Sequence, residues 1–404
     1  MDRQGWRTPI VVLVCGTVVL LMSFGIRTSF GIFLQPVSDD LGWGREVFAL
    51  AIAVQNLVWG LSQPIAGAFA DKYGSGRVIA VCAVLYVVGV YLMGQVTAPF
   101  ELTVSAGFLV GVGMSGTSFG VVLAVIGRSV SEERRSLFLG LGAAGGSSGQ
   151  LLMVPLGQAF LATYGWATAL VLLAALSLVM VPLAAALTGR AAAQARAGVE
   201  RQSLTEAVRE AGGHGGYWYL NAGFFVCGFH VMFIATHLPA YIVDKGVAAK
   251  YGAIALAVVG LGNILGSYAA GVLGGRFSKK YLLSALYAAR AVIIAIFVLT
   301  PTSATTIVVF SFAIGILWLS TVPLTSGLVA QIFGVRYMAT LFGIVFLSHQ
   351  LGSFLGVWLG GYVYDATGSY DMVWWVGVAL GVAAAVLHWP INESPVPRLA
   401  AAAD

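Results

Sequence analysis

The sequence predicts an all-α integral membrane protein, with twelve transmembrane helices in two pseudo-symmetric six-helix halves. Composition, the spacing of apolar runs and an internal repeat predict it. Of 404 residues, 59% are hydrophobic and only 9% charged, against about 25% charged in a soluble domain; the mean hydropathy is +0.91. A helix needs about 20 mainly apolar residues to cross the hydrocarbon core. Six such runs fall at 9–34, 46–69, 78–97, 103–127, 137–160 and 167–188, and six more at 218–242, 251–274, 282–300, 305–332, 339–362 and 372–391. Gly140, Gly149, Gly157 and Gly165 recur 203 residues later as Gly343, Gly352, Gly360 and Gly368, and the same offset carries Gly25, Phe30 and Pro36 onto Gly228, Phe233 and Pro239. A parallel repeat of this kind marks a transporter built from two equivalent halves.

The first run leads into "QPVSDDLGWGRE" without a small-residue cleavage site, so it reads as a retained helix and not a signal peptide. An even number of spans puts both termini on one side of the membrane. Sixteen of the 21 Lys and Arg residues fall in loops on that side, and only Arg45, Lys245 and Lys250 on the other. Basic residues collect on the cytoplasmic side, which predicts cytoplasmic termini and, for a bacterial cell, the inner membrane. The longest connection, 189–216, holds "TGRAAAQARAGVERQSLTEAVREAGGHGG" around it and reads as a mobile, partly helical linker. The division is therefore 1–188, a linker at 189–216, and 217–404 with a short cytoplasmic tail. Cys15, Cys82 and Cys227 sit in apolar runs without paired spacing, which implies core packing and neither a disulfide framework nor a metal site.

Several segments, taken in order, resemble the major facilitator superfamily over essentially the whole chain. "GAFADKYGSGR" (67–77) is similar to that family's loop between helices 2 and 3, with "GVLGGRFSKK" (271–280) as its weaker copy. The resemblance implies a conformational latch at Asp71 and Arg77. Gly5-Trp6 before helix 1 and "EERRSLFLGLGAAGGSSGQ" (132–150) resemble the monocarboxylate and oxalate:formate branch, where small residues let helix 5 pack closely. That branch carries an acid and an arginine one turn apart on helix 8. Aligned through Gly271, this chain has Asn263 and Ser267 there.

The superfamily fold implies a central cavity lined by helices 1, 4, 7 and 10. Arg27 lies within the first apolar run, where a charge costs between ~3 and ~15 kcal/mol unless it meets a partner or water. The repeat maps it onto His230 of helix 7, so the two are expected to face each other across the pseudo-twofold axis. Thr117 and Ser118 of helix 4 map onto Ser320 and Thr321 of helix 10, hydroxyls suited to a small polar ligand or to bonding within the helices. Asn263, Phe119 and Trp318 are further expected lining, with Trp59 as aromatic wall and His349 and Gln350 as polar lining from helix 11. Arg290, in "LYAARAVIIAIF" on helix 9, is expected to bond a carbonyl, with the cavity within its reach.

All 16 acidic residues fall in loops or at helix ends, whereas Arg27 and Arg290 fall inside the membrane. A fixed positive charge with no acid to neutralise it attracts an anion, and an arginine fork meets a carboxylate bidentately. The expected function is secondary active transport of a small organic anion, a monocarboxylate first, by proton symport or anion exchange. His230 and His237 are the candidate proton carriers. The alternatives are an exporter of an amphipathic compound and, remotely, a transporter-fold sensor. No nucleophile–base pair or metal cluster suggests an enzyme, and no cofactor or nucleic acid is implied; a monomer in the lipid bilayer suffices.

Overall fold

The computed structural model describes residues 6–130, 132–188, 202–334 and 337–400, apart from the side chains at 71–72, 132–137, 139–140, 143, 204, 338–339 and 400. Three rods come first: α1 (Pro9–Leu41), α2 (Arg45–Tyr73) and α3 (Ser75–Met93). After α4 (Pro99–Arg128), the helix Glu132–Ser177 turns at Gly165 (φ 76°, ψ 170°) into two arms. These are α5 (132–164) and α6 (166–177), the latter prolonged by Met180–Leu183. Only glycine adopts that backbone conformation without strain, which is why the apolar run divides there. The second half holds α7 (Gly215–Asp244), α8 (Lys250–Gly274), α9 (Lys279–Leu299), α10 (Ala304–Phe333), α11 (Met338–Thr367) and α12 (Asp371–His388).

Eleven helical stretches among the described residues are long and apolar enough to cross a membrane, and the one at Ala144–Leu183 contains both sides of the Gly165 turn. The expected twelve-helix, all-α fold is thus the observed one. Of the linker, Leu204–Gly213 is helical, started by a reciprocal pair in which Glu206 accepts the Ser203 N–H at 2.7 Å and donates its own N–H to the Ser203 hydroxyl at 3.3 Å. The Ser203 N–H and the Ser203 hydroxyl, the latter at 3.0 Å, both reach the Glu206 carboxylate and hold it below the usual carboxylate range.

Four of the repeated glycines share one physical cause. A methyl group on Gly25 or Gly149 would collide with the partner backbone where α1 crosses α5, and one on Gly228 or Gly352 would do so where α7 crosses α11. Each half therefore contains the same close helix pair, set by small residues that let backbones touch.

At the end remote from the termini the halves are laced together. Arg45, at the start of α2, meets both carboxylate oxygens of Asp244 on α7 at 2.6 and 2.7 Å and lies 3.8 Å over the Tyr364 ring. Asp365 of α11 accepts the Arg45 and Glu46 N–H groups at 3.0 and 2.8 Å. The first turn of α2 has no side-chain cap of its own, so the opposite half supplies it. Trp358 adds a bond to Glu46 at 2.9 Å.

Candidate functional site

The site is built around two interrupted helices. α4 breaks at Ser118, whose backbone is extended (φ −95°, ψ −178°). α10 breaks at Leu319 and Ser320, between Ala304–Trp318 and Thr321–Phe333. In α10 the reason is Pro323, which has no N–H for the Leu319 carbonyl four residues back and would clash with it. In α4 the sequence "GMSGTSFG" is rich in glycine and in hydroxyls that compete for the helix carbonyls: Ser115 bonds Val112 O at 2.7 Å and Thr117 bonds Gly113 O at 2.9 Å. Each break frees backbone groups inside the membrane, where each unpaired group is costly.

Beside the α4 break stands Arg27, half-buried on α1. Its Nε donates to Gln55 Oε1 at 3.1 Å and its Nη2 to Asn56 Oδ1, both on α2, with Met232 Sδ of α7 at 3.4 Å. The Trp59 ring lies 5.0 Å from the guanidinium carbon. The Nη1 end has no partner among the described residues and is not a buried atom. No carboxylate among the described residues pairs with Arg27. The side chain is thus steadied by two neutral amides and an aromatic face, with one end open. Phe24 and Phe119, rings 4.4 Å apart, with Phe346 5.3 Å from Trp59, form a half-exposed aromatic wall next to it.

Several expected contacts lie elsewhere. His230 does not face Arg27: its Nε2 meets the Gly377 carbonyl of α12 at 2.7 Å, in a slot opened by Gly377 and Gly381. The α7 residue that reaches Arg27 is Met232. His237 is wedged between the Val357 carbonyl at 2.7 Å and the Tyr370 hydroxyl at 3.3 Å, fully buried. Neither ring bonds Arg27, which corrects the expected facing of Arg27 and His230.

Arg290 is 1% exposed and closes the α10 break. Its Nε and Nη2 donate to the Leu317 carbonyl at 3.2 and 2.5 Å, Nη2 also to Trp318 O at 2.5 Å, and Nη1 to Cys227 Sγ at 3.3 Å. Trp318 is buried and offers Arg290 its carbonyl. Ser320 bonds back to Ile316 O, and Thr321 bonds Cys227 at 3.2 Å. Asn263 accepts the Leu319 N–H at 3.0 Å and reaches Ser147 of the other half at 3.5 Å. These residues repair the break instead of lining a ligand space. In the first half Ser118 bonds Gln63 at 3.0 Å, so only Arg27 and Phe119, of the expected lining, sit together with a half-exposed surface. Arg77 is exposed and makes no bond to a described side chain, and the side chain of Asp71, its expected latch partner, lies outside the described residues.

The amides Gln55 and Asn56 were absent from the expected site. Their signal was present in "AIAVQNLVWG", two adjacent amides in an otherwise apolar span. Among the described residues no three His, Cys, Asp or Glu side chains gather as a metal site.

Comparison with known proteins places the chain in context. The family model described as Major Facilitator Superfamily matches residues 13–357 and 252–404. Monocarboxylate transporter 13 of Rattus norvegicus is 28% identical over 364 residues, covering 86% of this chain and 80% of that protein. The oxalate:formate antiporter of Oxalobacter formigenes is 23% identical over 357 residues, covering 86% and 83%. Among solved structures, a bacterial homologue of the human lysosomal transporter Spinster, inward-facing and occupied, superposes with a TM-score of 0.75 at 15% identity, covering 95% and 96%.

Proposed function

Since the chain belongs to the Major Facilitator Superfamily, a family of transporters and not of enzymes, we propose that it is a secondary active transporter of a small organic anion, a monocarboxylate in the first place. The observation that carries this reading is Arg27, a guanidinium inside the membrane whose Nη1 end is open and which no described carboxylate neutralises. An incoming carboxylate completes its hydrogen bonding and cancels its charge. Relatives whose names specify monocarboxylates and oxalate and formate support the same anionic class.

Transport proceeds by alternating access, in which the seam of Arg45, Asp244 and Asp365 parts while the opposite end closes. The excess of basic residues on the terminal side supports cytoplasmic termini, and bacterial relatives support the inner membrane. One twelve-helix chain suffices for the pathway. Asp71 and Arg77 remain the proposed latch on the terminal side.

A second reading, export of an amphipathic compound, draws on the aromatic wall of Phe24, Trp59, Phe119 and Phe346. The test is ligand-induced thermal stabilisation of the detergent-purified protein by small carboxylates, their neutral analogues and lipophilic drugs. Carboxylates are expected to stabilise wild type and to lose that effect in Arg27→Ala. Stabilisation by neutral or cationic compounds alone, or an unchanged response in Arg27→Ala, favours the exporter.

A further inference from the structure

We propose that His349 of α11 is the proton-binding residue coupled to anion occupancy at Arg27, an assignment that rests on the anion reading above. Two physical links join the two side chains across the halves. The first is a thread of hydrogen bonds. Arg27 Nη2 donates to the Asn56 side chain, the Asn56 backbone carbonyl accepts from Gln350 Nε2 at 3.1 Å, and Gln350 Oε1 meets His349 Nδ1 at 3.1 Å. The second is a stack. The guanidinium lies over Trp59, Trp59 contacts Phe346 edge-on at 5.3 Å, and Phe346 lies parallel to the His349 ring, 6° between planes at 5.7 Å.

The thread fixes which ring nitrogen is basic. A backbone carbonyl only accepts, so the Gln350 amide nitrogen must point at Asn56 and its oxygen at His349. That oxygen requires a donor, so Nδ1 carries the hydrogen and Nε2 keeps the lone pair. Nε2 bonds no nitrogen or oxygen atom of a described residue and is not among the buried unpartnered atoms. It is the nitrogen that takes up the proton.

The surroundings supply the coupling. From α7 the Cys227 thiol lies against the ring, and behind it stand Arg290 and Tyr287 of α9. From α10, Thr321 bonds the thiol. From α2 comes the uncharged Asn56 amide that holds Arg27 of α1, and from α11 itself the Ser353 hydroxyl at 3.4 Å. A guanidinium therefore stands at the far end of each of these chains of contacts, Arg27 beyond Asn56 and Arg290 beyond Cys227, and no described carboxylate pairs with either. A substrate carboxylate at Arg27 cancels one of these charges, so anion and proton favour each other's binding, and linkage makes the effect reciprocal. The carrier loaded with one anion and one proton has the same net charge as the empty carrier, which lets both cross between access states. His230 and His237 have no such connection: their rings are fixed on α11 and α12 carbonyls away from Arg27.

The experiment measures pyruvate affinity, with phenylpyruvate as a larger probe, between about pH 5.5 and about pH 8, the range in which histidine titrates and both acids stay ionised. Wild type is expected to bind more weakly as pH rises, by up to about tenfold per unit where the anion-loaded carrier holds the proton and the empty carrier does not, and in that range to take up as much as about one proton per anion bound in weak buffer, read with a pH dye. His349→Gln, whose amide can still donate to Gln350, is expected to bind with flat pH dependence and no proton uptake. In proteoliposomes it should exchange pyruvate without acceleration by a proton gradient, and His230→Gln should keep the wild-type slope. Anion binding to wild type without proton uptake overturns the assignment, as does a wild-type slope in His349→Gln; the wild-type measurement decides even where the variant does not fold. Absence of carboxylate binding at every pH, with Arg27→Ala indistinguishable from wild type, overturns the anion reading as well.

Discussion

The two halves of the molecule carry the same interruption, one in α4 and one in α10, and each has an arginine nearby; the two arginines do opposite things. In the second half Arg290 distributes its donors over the Leu317 and Trp318 carbonyls and the Cys227 thiol, and Asn263 takes the Leu319 N–H. That break is closed by a buried charge. In the first half the freed Thr117 carbonyl is met by the small Ser23 hydroxyl at 3.0 Å. Arg27 is thereby left out of the repair, steadied on side-chain amides with one end open. Residue type is alike in the two cases, and the destination of the five N–H groups separates a structural arginine from one available to a ligand.

Replacing Arg290 should give the largest effect. Arg290→Leu strands two carbonyls in a dry interior, at about 1–3 kcal/mol each, so a loss of roughly 3 kcal/mol or more is expected in thermal or denaturant unfolding without ligand. Arg290→Lys should recover little, because one ammonium cannot span the same acceptors. The mirror experiment, Arg27→Ala, should leave unliganded stability close to wild type, since water can replace the guanidinium at an accessible site. It should instead lower carboxylate affinity about 100-fold, equal to about 2.7 kcal/mol. Equal destabilisation by the two variants would erase the distinction.

Much of the fold could be read from the sequence, because apolar run length and glycine periodicity are directly tied to bilayer thickness and helix contact. Arg27 was legible for the same reason: a charge stands out in an apolar run. The direction of a side chain about its helix axis was not. The repeat places Arg27 and His230 at equivalent positions, yet the imidazole, short and rigid, turns to the nearest open carbonyl, at Gly377. "GVALG" (377–381) carried that signal as two small residues one turn apart. The hydroxyls misled in a similar way, since a Thr or Ser beside a break satisfies its own helix first, as Thr117 and Ser320 do. Pro323 carried a signal for the α10 break that the run of apolar residues hid; its counterpart in α4 arises from accumulated weak helix formers and has no single marker.

The smaller repairs sharpen the comparison further. Asn263→Ala removes the acceptor of a buried backbone N–H at Leu319 together with the reach to Ser147, and should cost about 1–2 kcal/mol. Ser23→Ala removes one neutral bond to the Thr117 carbonyl. That variant should cost about 1 kcal/mol or less, because Tyr86 still ties the Ser23 carbonyl at 2.8 Å and keeps α1 against α3. If α4 were held by its hydroxyl as firmly as α10 is by Arg290 and Asn263, Ser23→Ala would match Asn263→Ala in unfolding. A clearly smaller loss means that the first half keeps the looser break, beside the arginine left free for an anion, and that the rigid half acts as the frame against which it moves.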